Sequence, residues 1–360
     1  MKNNFFKKYP IWILITLVAA IALGIYAFRS VIFFSVPQEV KNEQQLEYQH
    51  PLTGVMIENE IEKLPQVFAV VVDNHIDAQP LSGVDKAFLV IEAPVEGGIT
   101  RLLSFFDINE KVDVIGPVRS ARPYFIDWVA GLDAMFAHVG GSPEALDILA
   151  RGQVFDLNEY WNGDHFWREN GTRFAPHNVY ISTEELNRAY DQALAKDKVP
   201  QIDYSLWKFK QQEAVNEKTD SQEEFLVDAN EVSVSFPGSG YEIVWKFDKG
   251  IKKFVRVQNG VIHKTRENEM ILADNVLILE MEIEVTDKIG RRHIDTIGDG
   301  VGYLLSQGDN AGKAEKIKWE KKSAEERMKF YWPESNDEIY LNPGNTWIEI
   351  IGDSSWLETE

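Results

Sequence analysis

From Val67 to Val72 the chain reads Val-Phe-Ala-Val-Val-Val and closes on Asp73, an unbroken apolar run of strand length. Such a run is the pattern of a strand covered on both faces. Ala87–Glu92, Arg101–Phe106 and Ala134–Val139 repeat it in shorter form. Between and after them, Ala121–Leu132 has helical character, and Ser142-Pro143-Glu144-Ala145-Leu146 predicts a helix with a serine N-cap and proline in its first turn. Thr183-Glu184-Glu185-Leu186 opens another, running to about Lys198. Strands alternating with helices predict an α/β domain over 65–210. Residues 211–230 are polar and acidic and predict a linker. Beyond them the pattern shortens to β-rich runs at 232–236, 242–247, 254–258, 276–285, 302–305 and 347–351. Pro-Gly-Ser-Gly, Asp-Lys-Gly, Gln-Asn-Gly and Asn-Pro-Gly separate them, which is turn chemistry. A β-rich domain over 231–352 is expected. Neither an internal repeat nor a heptad is present.

The amino terminus differs. Ile11 to Phe28 is an uncharged run of 18 residues, about the minimum for a bilayer span. Lys2, Lys7 and Lys8 precede it and Arg29 follows, which places the terminus in the cytoplasm and the bulk of the chain outside it. A cleaved secretory signal is the competing reading, but no small-x-small site follows Arg29. An uncleaved membrane anchor over 1–30 is therefore expected, with an acidic linker over 31–64 lifting the folded part off the membrane.

Charge and composition narrow the function classes. The net charge is −20, and since residues 1–30 carry +4 without an acid, the remaining 330 carry −24. A basic footprint for nucleic acid is missing. The absence of cysteine removes disulfides, thiolate zinc sites, Cys nucleophiles and lipid attachment through Cys.

Arginine placement is the main chemical signal. Six of the thirteen arginines (Arg101, Arg119, Arg122, Arg151, Arg168 and Arg173) fall in residues 97–175, against one of the 24 lysines, Lys111. A solvated basic face would use lysine freely, whereas phosphate or carboxylate recognition prefers the guanidinium fork. Gly140-Gly141-Ser142, leading into a helix, can add backbone N–H groups. An anion- or glycan-binding pocket of Arg101, Arg119, Arg122, Arg173, Ser142 and His138 is expected, provided a helix starting near Arg119 places Arg119 and Arg122 on one side. The competing expectation is that these arginines pair internally with Glu92, Glu96, Asp127 and Glu144. Asp73, Glu92 and Glu96 are the candidate acid and base for glycan cleavage. His75, His138 and His177 lack metal-site spacing, so no metal or other cofactor is expected, although a divalent cation stays open. Trp161, Phe166 and Trp167 could stack on sugar rings or serve as core.

Asp73-Asn-His-Ile-Asp77, Glu92-Ala-Pro-Val-Glu96, Ile115-Gly-Pro-Val-Arg119-Ser-Ala-Arg122, His138-Val-Gly-Gly-Ser-Pro-Glu144 and Arg173-Phe-Ala-Pro-His177-Asn178 together resemble the YerB-like family of bacterial envelope proteins, over roughly residues 50–352. That resemblance implies location and fold, but no established reaction. Many members look like lipoproteins with a lipobox cysteine; here the apolar helix is expected to serve instead. Residues 98–146 are more distantly similar to LytR–CpsA–Psr glycopolymer transferases, through Thr100, Pro117-Val118-Arg119 and Gly140–Glu144. Carried over, Arg119 is a pyrophosphate ligand, while Ile99 and Ser120 stand where that family has acids, which puts its magnesium in doubt. The expected function is envelope or cell-wall assembly, by binding an anionic or glycan ligand. The expected partners are the membrane, envelope glycan or its phosphorylated precursor, and wall-synthesis proteins. The alternative is an enzyme on lipid-linked or polymeric glycan, by phosphoglycan transfer or glycoside cleavage.

Overall fold

The computed structural model describes residues 15, 18–23, 47–171, 173–196, 198, 202–211, 231–238, 240–305, 307 and 313–359. Most of the expected anchor over 11–28 lies outside them; Ile15 and Val18–Leu23 are helical and exposed. Among the described residues no helix is long and apolar enough to cross a membrane. The expected linker at 211–230 also lies outside the described residues, apart from position 211.

The apolar run at 67 becomes β1 (Val67–Asp73), buried along its whole length. β2 (Leu89–Pro94) and β3 (Thr100–Asp107) follow, then α1 (Pro123–Ala130), β4 (Met135–His138), α2 (Pro143–Ala150), β5 (Phe155–Asn158) and α3 (Thr183–Leu194). Ser142 caps α2 as expected, its Oγ accepting from the Ala145 N–H. The cap of α3 is Ser182, one residue earlier than expected, and the helix ends at Leu194. Beyond residue 230 come β6 (Glu231–Ser235), β7 (Glu242–Asp248), β8 (Lys253–Gln258), β9 (Asn275–Glu280), β10 (Gly298–Leu305), β11 (Ala314–Lys321), β12 (Lys329–Tyr331), β13 (Thr346–Ile351) and β14 (Leu357–Thr359). The chain is strand-rich with few helices. Part of the expected spacer at 31–64 is folded: Tyr48–Gln49 pairs with Met56–Ile57, and Leu52 is buried in the core.

Strands from both sides of residue 220 share one ten-stranded sheet, in the order β12-β11-β10-β9-β13-β2-β3-β1-β4-β5. β13 lies parallel to β9 on one side and parallel to β2 on the other. β6, β7, β8 and β14 build a second, antiparallel sheet with two short strands at 261–262 and 272–273. Strand alternation divides the apolar side chains of the large sheet between two faces. Val71, Leu103 and Ile348 meet Phe125 and Trp128 of α1 on one. Val72, Leu102 and Trp347 meet Trp245 and Phe254 of the second sheet and Leu186 of α3 on the other. Each fully buried side chain of this size contributes about 1.5–3 kcal/mol relative to exposure, so both faces are needed.

The shared sheet makes the two halves of the chain interdependent. A chain truncated after residue 345 is expected to miss the native fold, read as lost near-UV circular dichroism, because β2 and β9 lose the strand between them. Cleavage within 211–230 is expected to leave both fragments associated on gel filtration, separating only in denaturant. Free elution of two folded fragments would show that the sheet does not couple them.

Candidate functional site

The face of the large sheet turned to the second sheet carries a polar network whose charged members are buried and whose edge, at Gln79 and Gln258, is half-buried. Glu92 of β2 and Glu349 of β13 are opposite one another in register, and both are 0% exposed. Arg256 of β8, also 0% exposed, donates from Nη2 to Glu92 Oε2 at 2.5 Å. Its Nη1 donates to Gln258 Oε1 at 2.9 Å and also to His263 Nδ1. Burial, and then the Arg256 charge, hold the His263 pKa well below its ordinary value. The neutral ring accepts at Nδ1 and donates from Nε2 to Gln79 Oε1 at 3.0 Å. Gln79 donates to Asn74 at 2.7 Å; Asn74 donates to Thr100 Oγ1 at 2.8 Å and Glu92 Oε1 at 3.1 Å; Thr100 donates to Glu92 at 2.5 Å. The Trp245 indole N–H reaches Glu349 Oε1 at 2.9 Å, and the Arg256 guanidinium lies 5.1 Å from the Trp347 ring. Glu349 Oε2 has no donor, and its contact with Glu92 is a hydrogen bond only when a proton lies between the two carboxyls. Burial and the neighbouring Glu92 push the Glu349 pKa well up, against the pull of Arg256. Glu92 is therefore a buried structural anion, out of reach of any glycan, and it does not share a cleft with Asp73.

The opposite face, at the end of β1, gathers most of the other expected residues. Asp73 is opposite Arg101 in register. Its Oδ2 lies 2.9 Å from Arg119 Nε and accepts from His177 Nδ1 at 2.7 Å, while Oδ1 accepts from the His75 N–H at 3.0 Å. The Arg119 Nε–H points off the hydrogen-bond line, so that contact is an ion pair without a directed bond. Burial opposes ionisation of Asp73, but the His177 bond, Arg119 and the His75 N–H together hold its pKa below the usual carboxylate range. Arg122 forms a two-pronged bridge to Glu96, Nε to Oε1 at 2.8 Å and Nη2 to Oε2 at 2.5 Å. Glu96 sits in the turn at 96–98, where Gly98, at φ 74°, backs onto the Gly238 backbone so closely that a Cβ would collide.

No helix starts at Arg119. The segment is extended, Arg119 N–H bonding to Val71 O and Arg122 serving as the N-cap of α1 at φ −132°, ψ 154°. The two side chains consequently go to different carboxylates, Arg119 to Asp73 and Arg122 to Glu96. Arg101 lies close to both guanidiniums; among the described residues its bonded partner is Ser120 O (2.9 Å) and its Nε has none. Burial, followed by the charges of Arg122 and Arg119, lowers its pKa to about 9.

Other expected members take separate positions. Arg173 donates to the carbonyls of Ala78 and Pro80. Ser142 is consumed as a helix cap. His138 is buried, Nδ1 donating to Gly140 O at 2.7 Å and Nε2 lying 2.7 Å from Asp156 Oδ1. Val139–Ser142 runs beside Arg119–Ala121, through Val139 N–H to Arg119 O and Ala121 N–H to Gly140 O. Asp127 accepts from Thr296 at 2.6 Å rather than from an arginine. Trp161 is 82% exposed and Phe174, in the loop that carries His177, is 77% exposed, whereas Trp167 stacks on Tyr180.

Residues 52–198 match the model described as protein of unknown function (DUF3048), N-terminal domain, and residues 232–348 match its C-terminal domain. The chain belongs to the DUF3048 family. It is 32% identical over 314 residues to a protein of Bacillus subtilis named "Putative lipoprotein YerB", which covers 84% of this chain and 86% of that one. The crystal structure of YerB from the same organism matches with a TM-score of 0.73 and 30% identity, over 87% of this chain and 100% of that chain. The family resemblance read from the motifs is thereby established.

Within this DUF3048 chain, sequence reasoning missed Arg256, His263 and Glu349. A signal was present: Phe-Val-Arg-Val and Trp-Ile-Glu-Ile each place one charge inside an apolar strand, where a charge needs a partner. Spacing also gave no hint that His75 and His177 stack, with ring centroids 4.7 Å apart.

Glu92→Gln is expected to destabilise the protein by about 3–5 kcal/mol, because Arg256 is left as an unpaired buried charge. Glu349→Gln keeps a neutral hydrogen-bonding group and is expected to be tolerated. Folded Glu349 retains a proton that the unfolded chain releases above the ordinary glutamate range, so wild-type stability falls as pH rises toward the folded pKa, by up to about 1.4 kcal/mol per pH unit. The Glu349→Gln variant lacks that fall. Urea unfolding across pH 5–8 should show its advantage over wild type growing with pH; parallel curves would place the proton elsewhere.

Proposed function

We propose that this protein is a membrane-anchored, extracytoplasmic component of the cell envelope that binds an anionic or glycan ligand beside Arg119. The supporting observation is a charge imbalance: Arg101, Arg119 and Arg122 are held together by two carboxylates, Asp73 and Glu96. A phosphate or carboxylate supplies the missing negative charge through charge-assisted hydrogen bonds, which guanidinium groups make in forked pairs. Exposed Trp161 and Phe174 offer ring faces for sugars nearby in sequence. The named Bacillus relative supports the envelope location. This chain has no cysteine to carry a lipid, so the apolar run at 11–28 is the proposed anchor. The second reading, an enzyme on envelope glycan, draws on the Asp73–His177 pair, since a carboxylate on Nδ1 leaves Nε2 free to act as a base.

Binding of inorganic pyrophosphate and of purified cell wall, each measured with metal chelated, tests the pocket. Arg119→Lys retains the charge but loses the fork, and is expected to weaken binding at least tenfold, about 1.4 kcal/mol, with little change in melting temperature. Unchanged binding per folded molecule would reduce the cluster to an internal ion-pair network. For the anchor, full-length protein is expected to sediment with membranes and resist high salt, and deletion of residues 1–30 to release it. A new amino terminus after Arg29 on protein found in the medium would identify a cleaved signal instead.

A further inference from the structure

We propose that His75, Asp77 and His177 form a binding site for a single divalent transition-metal ion of the zinc class, with Asp73 as a positioning residue. The inference does not depend on the anion-binding reading. One ligand atom from each of the three residues lies within 4.8 Å of the others. His75 and Asp77 come from the short turn after β1, while His177 arrives from a loop a hundred residues later, its ring stacked on His75 at an interplanar angle of 21°.

The hydrogen bonds prepare both imidazoles as ligands. His177 gives its Nδ1 proton to Asp73, which leaves the Nε2 lone pair free and fixes the ring. A carboxylate behind a histidine is the usual outer-shell support of a metal-binding imidazole, and here that carboxylate is 1% exposed and held by Arg119. His75 accepts the Asp77 N–H at Nδ1 (3.1 Å), so that nitrogen also presents a lone pair, 3.5 Å from Asp77 Oδ2. Two ligand atoms on a tetrahedral ion are roughly 3.4 Å apart, given bonds of about 2.0–2.1 Å. The His75–Asp77 pair already has this separation; for the wider set the atoms close by up to about 1.4 Å, and the partly exposed His75 ring turns out of the stack so that its in-plane lone pair converges with that of His177 on the ion. The ion replaces the Asp77 N–H at His75 Nδ1.

Two imidazoles and one carboxylate are a borderline donor set that suits zinc and its first-row neighbours rather than calcium or magnesium. Three protein ligands leave one position for water or an anionic oxygen. Space is available for such a ligand: His75 also lines a cleft of ≈ 380 Å³ with Asn74, Gly97, Tyr241 and Asn259. Tyr241 pins the turn by accepting the Ile76 N–H.

Co²⁺ is the probe, titrated into tag-free full-length protein in detergent with phosphate absent. The expected result is one equivalent per chain, visible absorption of a four-coordinate ion, and displacement by Zn²⁺. His75→Gln and His177→Gln should each weaken binding at least tenfold. Asp73→Asn should weaken it 10–100-fold while keeping one equivalent. His293→Gln, at an exposed histidine bonded to Asp295, should change nothing. Should His177→Gln fail to fold, His75→Gln and Asp77→Asn decide, since both alter a partly or fully exposed turn. Absence of saturable binding, or binding unchanged in folded His75→Gln and Asp77→Asn, overturns the site. Pyrophosphate binding under chelation stands or falls separately, so the two outcomes are distinguishable.

Discussion

The Arg256–Glu92 ion pair is the constraint around which the rest of the molecule is arranged. Two opposite charges removed from water cost several kcal/mol each unless they meet and their remaining hydrogen-bonding groups are satisfied. Here the charges meet because β8 of the second sheet lies over β2 of the first, with β13 paired beside β2; among the described residues Arg256 Nε is left without a partner. Asn74, Gln79, Thr100 and His263 close the ring around Glu92 and Arg256. Hydrophobic packing of Val90, Trp245 and Trp347 supplies the driving force, and removing either partner of the ion pair leaves the other as an uncompensated buried charge.

The same residues explain why the protein needs both family segments. Glu92 and Asn74 belong to the amino-terminal segment, Arg256 and His263 belong to the carboxy-terminal one, and Glu349 follows directly after it in β13. Neither contains a satisfied set. A carboxyl–carboxyl contact between Glu92 and Glu349 is tolerable because one proton is retained, and the low polarity that raises the Glu349 pKa also strengthens its bond from Trp245. The other face of the sheet has the opposite imbalance. Arg101, Arg119 and Arg122 outnumber Asp73 and Glu96, and Asp73 divides its bonds between a cation and an imidazole. On one face a guanidinium meets two carboxyls that share a proton; on the other, three guanidiniums meet two carboxylates.

Much of the local structure was legible. β1, the serine cap of α2 and the strand-rich character after residue 230 follow from apolar runs, cap chemistry and turn residues, all of which act over a few positions. The importance of the arginines was legible too, because guanidinium in preference to ammonium is a compositional choice. The Arg119–Arg122 arrangement was not. The expected helix start near Arg119 does not form there, because the backbone N–H of Arg119 is taken by Val71 O across the sheet, and an extended segment sends neighbouring side chains apart.

Sequence alone determined the strongly apolar strands, such as β1, β2 and β3, and the family resemblance, but not the more polar β5, β11, β12 and β14, whose alternation with charge hides them. Tertiary structure decided the partners: that Glu92 meets Arg256 rather than a ligand, that Asp73 joins Arg119 to His177, and that β13 enters between β2 and β9. The reason is physical. Propensity and periodicity are properties of neighbouring residues, whereas the pairing of buried charges depends on which distant strands share a sheet, and that is settled by the packing of the whole core.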